Sequence, residues 1–490
     1  MQIRTGLGLI AGVTLFGCAT SSFQYDKNWQ SNDALPQNIN LQTQTTTNNP
    51  QLAAAINGLK NTTYGMFFKQ GIFAGRDGVG VAGYKYQRWQ VPLVMGALID
   101  VNEDYAGQFH DFLPVVAANQ SNQYGNYDQF QTMLYQINNW DTLPKDQQLA
   151  SCKLTYHCFL IDDRLWWTNF FSSYAEGLRR QNPNDLNAAR YFDSAYRIFV
   201  NGISSDKYVN TIGTGDAHSV MWYSDANQNI YYKSTISNSL YVTSGARLAK
   251  YILLNYGKDN SSYDYDLVLG YTKKVANGYF LNYSEQVKNN GLLLDGVGTG
   301  FDKPPLGRDL PAGQTANEMF TYNQGVVLPG MAILSELTGR EKYLDYAKDL
   351  VRASYKFSVN YNGFFDDYSY LAPNGWYSDG DGVAFRLAYW QYLGLFLDNY
   401  NLGSDPEFTK LISDFINNNA HQQITRMVIL PGYTSPQTPT LAVPNHGNVQ
   451  NLAQGSLFTY YPDGYSLPSI AAGLELYLLQ DRINFAMKKQ

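Results

Sequence analysis

Two carboxylates stand side by side at Asp162 and Asp163, and two tryptophans follow at Trp166 and Trp167, in the stretch FLIDDRLWWTNFFSSYAEGL. Acids at the start of a helical run most simply accept orphan backbone N–H groups and favour the helix dipole. The same arrangement can also carry chemistry. Consecutive Cα atoms lie about 3.8 Å apart, so the two carboxyls would sit roughly 5 Å apart. That gap suits a nucleophile and an acid flanking one glycosidic bond, rather than the ~6.5–9.5 Å needed to seat an attacking water. Repulsion would raise one carboxyl so that it keeps its proton, while the helix N-terminus holds the other ionised. A second pair, Asp366–Asp367 in GFFDDYSYL, also lies among aromatics. No helix begins plainly at it, so the residues favour the first pair only modestly.

The elements that must position these side chains are helical. Met319, Tyr322, Val326, Met331, Leu334 and Leu337 recur at helical spacing, as do Leu344, Ala347, Val351 and Tyr355. Gly339 between them suits a left-handed cap joining two helices into a hairpin. Similar runs fall near 52–68, 87–103, 105–117, 127–138, 163–180, 186–202, 232–256, 263–281, 380–400, 406–419 and 466–487. About a dozen helices in hairpin pairs, with few alternating β-type runs and no fixed-length repeat, predict a toroid of helical hairpins rather than a solenoid. The segment 429–451 reads as an irregular excursion, and the loops LLLDGVGTGFDKPP and YLAPNGWYSDGDG concentrate Gly, Pro, Asp and Trp. Function tends to sit in such loops.

Forty tyrosines and eight tryptophans exceed what a core needs, so some are expected to line a cleft, where an apolar face with a polar edge suits sugar stacking. A net charge of −6 and the lack of a long basic run argue against nucleic acid as a partner. Five scattered histidines without a zinc-protease motif predict no catalytic metal, and no cofactor motif is present; DGVGTGFD lacks the preceding strand that a dinucleotide loop requires. The first residues, MQIRTGLGLIAGVTLFGC, read as an export signal over 1–17, too short to span a bilayer stably. LFGC resembles a bacterial lipobox, which implies lipidation of Cys18, a membrane partner through that anchor, and, with Ala19 next, an outer-membrane location. The polar run over 18–50 reads as a flexible tether, leaving 51–490 as one folded domain, expected to be a monomer. Cys152 and Cys158 admit either a small loop disulfide or two free thiols; spacing alone leaves both open.

Three stretches together resemble glycoside hydrolase family 76, the endo-α-1,6-mannanases: FLIDDRLWWTNFFSSYAEGL, NEMFTYNQGVVLPGMAILSELTGREKYLDYA and DGDGVAFRLAYWQYL. YYKSTISNSLYVTSGARLA resembles a fourth, with Lys233 and Asn238 at matching positions. The resemblance runs, with gaps, from about Trp89 to Tyr392. It implies an all-α (α/α)6 barrel of six helical hairpins and retaining hydrolysis of internal α-1,6-mannosidic bonds in an oligo- or polysaccharide. Asp162 would be the nucleophile and Asp163 the general acid/base. Trp166 or Trp167, Trp222, Asn238, Tyr322, Asn323, Gln324 and Asp381 would lie at the substrate groove; Asp295 is either a groove acid or a turn residue. One of the adjacent tryptophans, about 100° from the other on a helix, is expected in the core. Where members carry a glycine-rich loop before a tryptophan, this chain has Asp216, Ala217 and His218, and Arg386 stands where Lys is common. These departures bear on linkage and subsite preference. A non-catalytic glycan-binding barrel and a transglycosidase remain the alternatives.

Overall fold

The computed structural model describes residues 68–69, 72–73, 92–93, 96–97, 100, 160–206, 208–212, 217–222, 232–298, 315–316, 318–360, 365, 380–424, 428–429, 441–442 and 467–489. Expectations placed on 52–67, 105–117 and 127–138, on Cys18, Cys152 and Cys158, on Asp366 and Asp367, and on the signal and tether lie outside the described residues.

Ten α-helices are described: α1 (Ile161–Gln181), α2 (Leu186–Gly202), α3 (Thr235–Asn255), α4 (Tyr265–Val275), α5 (Thr321–Gly325), α6 (Leu328–Thr338), α7 (Glu341–Asn360), α8 (Gly380–Asp398), α9 (Pro406–Ile424) and α10 (Leu467–Lys489). A π-helix, Ala276–Asn282, extends α4. Of the described residues 75% are helical, and the fold is an all-α barrel. Burial separates two layers. The helices α1, α3, α6 and α8 are buried on nearly every side, polar positions included. Their partners α2, α4 and α7 bury one stripe. On α2, Ala188, Phe192, Ala195, Tyr196 and Phe199 face inward while Leu186, Arg190 and Arg197 face solvent. Helices buried all round form the inner wall and amphipathic ones the outer.

Caps punctuate the hairpins. Ser234 Oγ accepts from Ser237 N at the start of α3, and Asp264 accepts from Leu267 N at the start of α4. Gly339 sits at φ 66° and donates to Ser335 O at 2.8 Å, closing α6 against α7 as its sequence context predicts. The run 319–337, read as one helix, is broken at Val326–Val327, and Thr243 Oγ1 of α3 donates to the Val326 carbonyl at 2.6 Å. Pro329, in the first turn of α6, supplies no backbone N–H to continue a single helix through the break.

The strands are short and paired in twos: β1 (Phe68–Lys69) with β2 (Ile72–Phe73), β3 (Val209–Thr211) with β4 (His218–Val220), β5 (Tyr232–Ser234) with β8 (Gly296–Gly298), β6 (Lys288–Asn289) with β7 (Leu292–Leu293), and β9 (Val428–Ile429) with β10 (Leu441–Ala442), all antiparallel. The β6–β7 turn places Asn290 and Gly291 at φ 52° and 84°, the left-handed pair that a tight hairpin needs. The β9–β10 pairing lies in the stretch read as irregular. Residues 232–234, read as the first turn of a helix, are strand β5 instead, because they pair with β8 as Lys233↔Val297 and Ser234↔Gly296. Among the described residues no helix is long and apolar enough to cross a membrane.

Candidate active site

The inner helix α1 begins without a side-chain cap. Leu160 holds the cap position, and the orphan N–H of Ile161 donates instead to the Trp222 carbonyl at 2.9 Å. This bond ties the β4–β5 connection to the first turn of α1, where Asp162 and Asp163 lie. Asp163 is buried at 3% exposure, whereas Asp162 keeps partial access. Asp162 Oδ1 accepts the Asp163 backbone N–H at 3.0 Å, and its Oδ2 accepts the Trp222 indole N–H at 2.9 Å. Burial, and then the neighbouring charge of Asp163, push the Asp162 carboxyl well above its ordinary range; the bonds from Trp222 and the backbone pull it back. Asp162 is therefore harder to ionise than an ordinary aspartate, and its two N–H donors work against that rise.

Trp222 leads on to the far side of the site. Its backbone N–H donates to Tyr232 O at 2.9 Å, and its ring meets the Tyr232 ring edge-on at 5.9 Å between centroids. Tyr232 Oη donates to Asp295 Oδ2 at 2.8 Å, and Asn323 Nδ2 of α5 donates to Asp295 Oδ1 at 3.3 Å. Asp295, 4% exposed, is thus a buried acceptor joining β5 to α5 rather than a solvated turn residue. Tyr322 stacks on Phe385 of α8 at 3.9 Å and remains partly exposed. Asp381 falls in the first turn of α8; its side chain lies outside the described residues.

Burial corrects the groove expectations for Asn238, Asn323 and Gln324, each fully buried, and for the one of Trp166 and Trp167 expected at the groove. Trp166 and Trp167 are 3% and 5% exposed. Trp166 packs edge-on against Tyr392 of α8, and Trp167 packs on Phe170 and Phe171. Both lie a full turn below the helix start, at a depth where inner-wall side chains meet one another. Asn238 is fully buried and brackets the Val220 backbone, accepting from its N–H at 2.7 Å and donating to its carbonyl at 3.2 Å. Gln324 does the same to Leu293, accepting at 2.7 Å and donating at 2.8 Å, so it completes the edge of β7. Asn238 and Gln324 hold backbone in place; neither is exposed to a sugar.

Sequence reading did not single out Tyr232, and it noted Lys233 only as a matching position. Lys233 is 2% exposed and donates to Ser219 O at 2.9 Å and to the backbone and side-chain oxygens of Asn210. None of these partners is a carboxylate, and burial lowers its amine to about 7. It pins the β3–β4 hairpin that delivers Trp222. Neither residue had a local signal, since their partners lie 10 to 63 positions away. Among the described residues no three His, Cys, Asp or Glu side chains gather as a metal site.

Residues 58–428 match the sequence model of glycosyl hydrolase family 76. No curated protein matches the chain. Among solved structures, an inactive double Asp-to-Asn variant of an α-1,6-mannanase from Salegentibacter sp. HEL1_6, in complex with α-1,6-mannotriose, is similar at TM-score 0.54 and 16% identity, covering 88% of this chain and 99% of that one. Dfg5 from Chaetomium thermophilum, in complex with glucosamine, is similar at TM-score 0.54 and 14% identity, with 91% and 92% covered. A family 76 α-mannanase from Bacteroides thetaiotaomicron is similar at 0.50 and 12%, with 90% and 98% covered. At these identities the structural likeness speaks for the fold, and the sequence match over most of the chain speaks for the family. This chain belongs to glycosyl hydrolase family 76.

Proposed function

We propose that the protein is a retaining, endo-acting glycoside hydrolase that cleaves internal α-1,6-mannosidic bonds. The observation that carries this reading is the Asp162–Asp163 pair in the first turn of α1, with two N–H donors on Asp162 and an upward push from its neighbour. A carboxylate held by two N–H donors is a ready nucleophile, and the carboxyl next to it in the same turn is placed to serve as the acid. In the first step an Asp162 oxygen attacks the anomeric carbon as the glycosidic C–O bond breaks, and the Asp163 proton goes to the leaving oxygen. In the second, Asp163 takes a proton from water, whose oxygen displaces Asp162. Support for mannan comes from the family and from the α-1,6-mannanase of Salegentibacter, whose complex holds α-1,6-mannotriose.

The experiment is a pair of variants on two substrates. Asp162→Asn should be inactive on α-1,6-mannan and on an activated aryl α-mannoside that the wild type accepts. Asp163→Ala should lose mannan cleavage, yet give a burst on the aryl substrate, because a good leaving group needs no acid. Added azide should then restore turnover and yield a mannosyl azide of retained configuration. An inverted azide product would reverse the two roles. Full mannan cleavage by both variants would remove this pair from the mechanism. Chain-length profiling of wild-type products separates hydrolysis from transfer, since transfer alone makes oligosaccharides longer than the substrate.

A further inference from the structure

We propose that Trp222 is a positioning residue for Asp162: its indole N–H, 2.9 Å from Oδ2, holds that carboxylate charged and oriented for attack. The proposal deepens the hydrolytic reading above and rests on it. Three features make the indole a fixed donor rather than a mobile platform. Its own carbonyl receives the Ile161 N–H at the start of α1, so Trp222 and Asp162 share one rigid frame. Its backbone N–H is held by Tyr232 O, and its ring is braced edge-on by Tyr232, whose hydroxyl is anchored on Asp295. Asp162 Oδ1 is meanwhile held by the Asp163 N–H, so the two donors fix both oxygens and leave no rotation about the carboxyl.

Among the described residues, the charged and titratable groups on the elements around Asp162 are Asp163, Arg164, His218, Tyr232, Lys233 and Asp295. Arg164 on α1 donates to Gly202 O and lies over the Tyr208 ring. Lys233 on β5 is bound to Asn210 and Ser219, and Tyr232 to Asp295. His218 lies on β4, paired with Thr211. The charge that raises the Asp162 carboxyl is Asp163, and the foremost influence opposing that rise is the Trp222 bond. An indole N–H can only donate, so it favours the ionised acceptor over the protonated one. Burial alone would leave Asp162 protonated for more of the pH range and unfit to attack.

The test is Trp222→Phe, which keeps an aromatic ring and removes the N–H. A second variant carries 3-benzothienylalanine at position 222, an isostere with sulfur in place of N–H, in case the smaller ring disturbs folding. Losing one hydrogen bond to a charged group should lower kcat on an activated aryl α-mannoside by on the order of 10- to 100-fold. The acidic limb of the kcat/KM profile should move up by about one pH unit, with KM for α-1,6-mannotetraose within about two-fold of wild type. The activity-independent readout is a 13C titration of Asp162 in aspartate-labelled Asp163→Asn protein, with and without Trp222→Phe. Asp162 should titrate higher when the N–H is absent. An unchanged Asp162 titration overturns the proposal, as does a rise in KM with kcat and the acidic limb unmoved, which would make Trp222 a sugar platform. A shifted titration in a protein that cleaves no mannoside would sustain the positioning role and sink the hydrolytic reading instead.

Discussion

Asp162, the proposed nucleophile, is a carboxyl whose burial makes stability depend on pH. Its folded carboxyl lies above its unfolded value, so the native state binds more protons across that window. Stability is therefore greatest below the unfolded value and is lost as pH rises through the folded one. Asp162→Asn should melt about 1–3 °C above wild type at pH 7, with the difference vanishing below about pH 4. Turnover on mannan should fall by at least about 10³-fold. Calorimetry across pH tests the stability half, and a melting difference independent of pH would refute it. Lys233 runs the opposite way. With its amine lowered to about 7, the unfolded chain binds more protons between about 7 and 10.4, so stability should rise with pH over that span. Urea midpoints of wild type should climb from pH 6.5 to 9.5, by on the order of a few kcal/mol in unfolding free energy, and those of Lys233→Met should stay flat. Parallel curves would mean that burial does not depress this amine.

Elements meet where side chains are absent. A Cβ on Gly330 of α6 would lie 2.7 Å from Thr243 Cα, and one on Gly325 of α5 would lie 2.7 Å from Tyr389 Cα. In both places the obstacle is backbone, which cannot swing aside. These two glycines let the α5–α6 unit wedge between α3 and α8, which sets where Tyr322 emerges and where Asn323 meets Asp295. Gly330→Ala should cost about 1–3 kcal/mol in urea unfolding and lower activity, since α5 must shift with α6. Unchanged stability would show that the two inner helices tolerate a wider gap. The break at Val326–Val327 belongs to the same device, because the carbonyl it frees is taken by Thr243.

At the scale of the molecule, the family match ends at residue 428, yet the inner wall continues past it. α10 packs against both α8 and α9, with Leu474, Leu478 and Ile483 buried. Arg482 lies 3.5 Å from Asp398, and Gln480 donates to Asn417 at 3.0 Å. α8 is buried on nearly every side and would expose a largely apolar face without this partner. A chain ending at Ser466 should therefore fail to give a soluble, cooperatively melting protein; retained folding and activity would make α10 an accessory. The stretch 1–17, which reads as an export signal, and Cys18 after it lead to a further proposal, a lipid-anchored protein of the bacterial outer membrane. Wild type should partition with membranes and Cys18→Ala should not. Equal partitioning of both would remove the anchor.

What the sequence determined by itself was periodic or local. The apolar stripe of α2 and the Gly339 cap between α6 and α7 each depend on residues within a few positions of one another. The Asp162–Asp163 pair was likewise visible, because adjacency in the chain is adjacency in space. The tertiary structure decided which neighbours these residues have. Trp166 and Trp167 could not be assigned to core or groove from an inner helix that buries polar and apolar positions alike on nearly every side. Asn238 and Gln324 had the polarity of sugar ligands, and only distant backbone at Val220 and Leu293 shows that they are already engaged. Trp222 and Tyr232 reach their partners across 60 and 63 residues. Hydrogen bonds over such separations leave no period in the chain, and they are formed only once the inner helices have packed.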